Sequence, residues 1–92
     1  MITHRDEIFN EIDSERDYQQ NIKEYDDSFD DKHTIDNWCM FINKYLSKSA
    51  AQGYWGEVQR TALLKAVTIG VAALEAFDRN GKFPRRHFDP KH

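Results

Sequence analysis

Ninety-two residues suffice for one domain with one modest core. With 39% hydrophobic and 32% charged residues, the composition is that of a soluble globular protein, and the longest apolar stretch is too short, and too interrupted by Lys65, to span a membrane. The formal charge of -3 conceals two opposite halves: residues 1–36 carry twelve acids against four bases, and the remainder four acids against nine bases. Net negative charge argues against duplex nucleic acid as the main ligand, because phosphate neutralisation dominates that affinity. The basic half can still attract a smaller phosphate. Cys39 is the single cysteine, so no intrachain disulfide forms, and a reducing, cytoplasmic setting is expected. The start of the chain lacks the apolar run of a signal peptide.

The first helix is expected over about 4–22. Thr3 with Asp6 makes a start of capping-box type, and acids in the first turn suit the positive end of the helix dipole. Its apolar stripe is thin, Ile8, Phe9, Ile12 and Ile22, around a polar run at 13–20. Residues 23–33 break the helical period and read as a solvated acidic surface loop that pins Tyr25 and Phe29 to the core. Asp26, Asp27, Asp30 and Asp31 cluster there, but the glycine and terminal Glu of an EF-hand loop are missing.

A second helix is expected over about 35–51, capped by Thr34 or Asp36. Ile35, Trp38, Cys39, Phe41, Ile42, Tyr45 and Leu46 recur at helical spacing, which makes Cys39 a core thiol. Gln52 to Gly56 forms a turn carrying Tyr54 and Trp55. These two aromatics are candidates for a partner contact or for a plug at the end of the bundle. A third helix spans about 57–79 and stops at Asn80-Gly81, followed by an irregular arm over 82–92 with Pro84 and Pro90. Arg85 and Arg86 in that arm, between Phe83 and Phe88, are further partner-binding candidates.

From Leu63 to Phe77 almost every position of the third helix is apolar or small, so it has no wide polar face. It is expected to be the central helix of an all-α, three-helix domain. The second and third helices form an antiparallel hairpin with the first across them. Two helices cover only part of such a surface, so a second copy of the chain, in a homodimer or higher oligomer, is expected to cover the rest.

Four stretches carry a resemblance: Glu15-Arg16-Asp17-Tyr18-Gln19, His33-Thr34 with Trp38, Arg60 to Lys65, and Pro84-Arg85-Arg86-His87. Together they resemble small phage and prophage members of the MazG-like, all-helical nucleotide pyrophosphohydrolase group. That group uses a Glu-Glu-x-x-Glu run and a Glu-x-x-Asp pair to hold magnesium against a triphosphate. Here the first run falls on Asn43, Lys44 and Ser47, with Lys48 next, and the second on Ala62 and Lys65. A divalent cation is opposed by those ammonium groups. No histidine pair or second cysteine supplies a zinc spacing either, so neither a metal nor another cofactor is expected.

The resemblance and its departure together imply a non-enzymatic binder of a small phosphate-bearing nucleotide, such as a phage protein that sequesters a host defence signal. Arg16, Lys44, Lys48, Arg60 and Lys65 would meet phosphate, and Tyr18, Tyr45 or Trp38 would offer a face to a base. A second reading of Lys65 pairs it with Glu15 or Asp17 across helices. Two alternatives stand beside the nucleotide binder. One is a divergent pyrophosphohydrolase using Glu15, Asp17, Glu75 and Asp78. The other is a module that binds a host protein through Tyr54, Trp55 and the basic arm.

Overall fold

The computed structural model describes residues 2–21, 26–50 and 56–85. Among the described residues there are four helices rather than three: α1 (His4–Asn21), α2 (Asp27–Asp30), α3 (Ile35–Ala50) and α4 (Glu57–Asn80). The additional one is a single turn inside the acidic stretch expected to be a solvated loop. It is not solvated throughout, because Asp30 is buried. No helix among the described residues is long and apolar enough to cross a membrane.

Local chemistry sets the helix ends. The Thr3 hydroxyl accepts from the Asp6 N–H at 3.2 Å, and the Asp6 carboxylate accepts from the Thr3 N–H at 3.0 Å. Each satisfies a donor that the first turn leaves open. Those hydrogen bonds also hold the Asp6 carboxyl below its usual range. Thr34, not Asp36, caps α3. Its hydroxyl accepts from the Asn37 N–H at 3.2 Å, and Asn37 Oδ1 accepts from the Thr34 N–H at 3.0 Å. Thr34→Ala is expected to lower the unfolding free energy by about 1 kcal/mol, readable as a shift of the urea midpoint with an unchanged slope. At the far end, Gly81 takes φ 74° and donates its N–H to Phe77 O, the left-handed stop that glycine adopts without steric cost.

Small residues decide how α3 and α4 meet. Trp38, near the start of α3, is 3% exposed and packs on Ala72, Ala73 and Ala76, near the end of α4. Further along α3, Tyr45 lies beside Lys65, nearer the start of α4. Alanines on α4 let the indole approach the helix backbone; Ala62 and Ala66 continue the same buried side. Phe41, Ile69 and Phe83 pack around this core. The larger apolar side chains of α4 face elsewhere: Leu63, Val67 and Leu74 remain exposed in the single chain.

Ion pairs dock the acidic segment. Arg16, on α1, is buried and donates to Asp30 at 2.9 Å and to Glu75 at 3.1 Å, joining α1, α2 and α4. Arg79 and Asn80, at the end of α4, both donate to Asp31 Oδ1, at 2.6 and 2.9 Å, and Arg79 also lies 3.4 Å from Asp27. The Arg79 hydrogen bond holds the Asp31 carboxyl below its usual range. Burial acts the other way on Asp30 and pushes its pKa up to about 6, against the pull of Arg16.

The assignment of Cys39 to the core fails: the thiol is exposed. It lies one position off the side of α3 that carries Trp38, Phe41 and Tyr45, and one residue turns a side chain by about 100° on a helix. Ile8 and Phe9, placed on the packing stripe of the first helix, are also exposed. Only Ile12 of that stripe is buried among the described residues.

Candidate functional site

A cleft of about 220 Å³ opens where all four helices converge. α1 contributes Glu15, Tyr18 and Gln19 to its walls, and α2 with the following turn contributes Phe29, Asp30 and His33. From α3 come Trp38, Phe41, Lys44 and Tyr45, and from α4 Lys65, Ile69 and Ala72. The helical period explains the α3 contribution: 38, 41 and 45 lie three and four apart, so one side of the helix presents all three rings.

One wall is cationic. The ammonium nitrogens of Lys44, Lys48 and Lys65 lie 5.7, 5.4 and 5.9 Å from the centroid of the Tyr45 ring. A cation over an aromatic face gains about 0.5–1 kcal/mol at an exposed site. Three like charges around one ring also repel one another, and among the described residues no carboxylate lies within 4 Å of any of them. The alternative pairing of Lys65 with Glu15 or Asp17 therefore does not form. Glu15 shares the cleft without closing an ion pair on it.

Another part of the lining is aromatic. The His33 ring lies 4.6 Å from Phe29, 5.0 Å from Trp38 and 5.1 Å from Phe41, centroid to centroid, at edge-on or tilted angles. Burial lowers the His33 pKa below its usual value, which favours the neutral imidazole. Its backbone N–H donates to Asp30 O, while its Nε2 and the Nε1 of Trp38 are buried without a hydrogen-bond partner among the described residues. Arg16 Nη1, behind Asp30, is in the same position. Such groups are few in a folded protein.

Of the six residues expected to bind ligand, Tyr18, Lys44 and Lys65 line the cleft, and Lys48 flanks it beside Tyr45. The other two are engaged elsewhere. Arg16 is committed to Asp30 and Glu75 inside the fold, where it offers no open phosphate site. Arg60 is on the surface, bound through both guanidinium ends to Glu11 at 2.7 and 2.8 Å, a fork that keeps the Glu11 carboxyl below its usual range. Trp38 lines the cleft but is nearly fully buried, packed on the alanines of α4. Tyr54, Trp55 and Arg86 lie outside the described residues, and Arg85 is exposed.

The acids of the pyrophosphohydrolase alternative are dispersed in role. Glu15 lines the cleft, Glu75 is bound to Arg16, and Asp17 and Asp78 are exposed. Among the described residues no three His, Cys, Asp or Glu side chains gather closely enough to hold a metal ion.

Sequence reasoning missed Phe29, Asp30, His33 and Phe41 as parts of one site. Phe29 and His33, four apart inside the acidic stretch, were the available signal for a helical turn that presents two rings together. No family model, curated protein or solved structure matches the chain.

Proposed function

We propose that the chain binds a small phosphate-bearing nucleotide in this cleft without hydrolysing it. The observation that carries the reading is the cationic wall: Lys44 and Lys65, with Lys48 beside them, crowd one tyrosine ring and have no carboxylate partner among the described residues. An anion with several oxygens relieves that repulsion and accepts charge-assisted hydrogen bonds. Tyr18 and Phe41 on the neighbouring walls supply apolar surface for a base. At about 220 Å³ the cleft is smaller than the roughly 300–1,000 Å³ of common small-molecule sites. That size suits one base with its phosphate and leaves the rest of a larger ligand at the mouth.

Ammonium groups in place of acids oppose a magnesium ion at the same position, which favours binding over phosphoryl chemistry. Together with the MazG-like resemblance, this supports a phage or prophage protein that withholds a nucleotide signal from its host, a role that rests on analogy. Calorimetry against nucleoside mono-, di- and triphosphates and cyclic dinucleotides tests the reading. Heat is expected with at least one of them, without pyrophosphate release in the presence of magnesium. No heat with any member of the panel removes the proposal.

A further inference from the structure

The helix α4 has three sides, and the described residues cover two, touching the third only at its end, where the Phe83 ring lies 5.1 Å from that of Phe77. Its alanine side packs on α3, and a second side meets α1 and α2 through Glu75 and Arg79. The third side carries Leu63, Val67, Gly70, Leu74 and Phe77, spaced four, three, four and three apart, with the four large side chains 40–65% exposed. That spacing holds one seam along a helix. The cleft-lining Lys65, Ile69 and Ala72 lie on the opposite side of α4, so this surface is independent of the proposed nucleotide site.

Gly70 sits at the middle of the seam. A Cβ built on it would meet no atom of the described residues within 4 Å, so nothing among them requires glycine there. Glycine nevertheless weakens a helix interior relative to alanine. The seam is also balanced about this residue: Leu63 and Phe77 are each seven positions away, and Val67 and Leu74 three and four. A pattern that reads alike in both directions is what an isologous contact needs, because each copy presents the same patch reversed.

Charge agrees with the reversed arrangement. Arg60 and Asp78 flank the same edge of the seam, ten residues before and eight after Gly70, and both are exposed. At 1.5 Å rise per residue they lie about 15 and about 12 Å from the centre. A two-fold axis at Gly70 brings Arg60 of one copy beside Asp78 of the other, twice. Arg60 uses two of its N–H groups on Glu11 and keeps others for this contact.

We infer that the occupant of this seam is a second copy of the chain, with the two α4 helices antiparallel and crossing at Gly70. Sedimentation of the full chain from about 1 to about 100 µM reads the result. The parent is expected at twice the 10.9 kDa chain mass or an even multiple of it. Leu74→Glu puts a carboxylate into the seam at a position that is 65% exposed in the protomer, and is expected to weaken association at least about tenfold. Gly70→Leu, whose Cβ would meet nothing within 4 Å among the described residues, is expected to do the same by keeping the helices apart. Each variant should at least halve the sedimenting mass while keeping the helical circular dichroism of the parent. A monomeric parent, or either variant sedimenting with the parent's mass, overturns the inference.

Discussion

Arg16→Met is expected to lower the unfolding free energy by about 3 kcal/mol at pH 7.5 and by distinctly less at pH 5. The Arg16 side chain is 7% exposed and its partner Asp30 4%, so removing the guanidinium leaves a carboxylate buried without its counter-charge. Methionine restores most of the volume but neither hydrogen bond. The pH dependence follows from Asp30. Its folded pKa is raised to about 6, above the 3.8 of the free group, so the folded state binds more protons between those values. Stability from this group is therefore fully present below about 3.8 and is lost as pH rises through about 6. At pH 5 the carboxyl is mostly protonated, and little charge remains for Arg16 to neutralise. Urea unfolding of both proteins at the two pH values gives the difference directly. A penalty that does not shrink at pH 5 contradicts this account of the pair.

Acid also works on the exposed acids, in the opposite sense. Glu11 and Asp31 have folded pKa values lowered by Arg60 and Arg79, so their contribution is present at neutral pH and fades as pH falls through their lowered values. Both carboxylates are open to solvent, and surface pairs of this kind contribute little each. The Asp30 effect therefore dominates the Arg16 comparison between pH 7.5 and pH 5.

The second large effect is on binding. Lys44→Met combined with Lys65→Met is expected to weaken the best nucleotide of the panel at least about 100-fold at low salt, because two charge-assisted hydrogen bonds are worth about 1.5–3 kcal/mol apiece. The loss should shrink as salt screens the parent's attraction. Stability distinguishes a binding role from a structural one. Neither lysine closes an ion pair among the described residues, and their ammonium groups crowd the same ring. Removing them should leave the unfolding free energy unchanged or slightly higher. Titration calorimetry with urea unfolding of the same double variant supplies both readouts. A loss of stability with unchanged binding assigns the lysines to the fold.

Helix positions were legible because capping and periodicity are local. Thr3 with Asp6, Thr34 and Gly81 terminate elements as their side chains or lack of one dictate. Which side of α4 turns inward was not legible. Leu63, Val67 and Leu74 look like core by hydrophobicity, yet Ala72, Ala73 and Ala76 are the buried residues, because the Trp38 ring needs a shallow surface to approach. The acidic stretch was misread for a related reason. Its partners Arg16 and Arg79 are distant in the chain, and no short-range pattern shows that a carboxylate has one. The cleft was half visible. Lys44 and Lys65, expected from the sequence to meet a ligand, line the cleft, whereas Phe29 and His33 needed the tertiary fold to bring them against Trp38 and Phe41.

A lone turn such as Asp27–Asp30 is too short to persist in water by its own hydrogen bonds. Its order is borrowed from the guanidinium groups of Arg16 and Arg79, reached from two different helices. The rings of Phe29 and His33 therefore hold their places partly through the terminal turn of α4. Fraying at Arg79, some fourteen residues along the chain from Lys65, would loosen the aromatic wall of the cleft before it disturbed the cationic one.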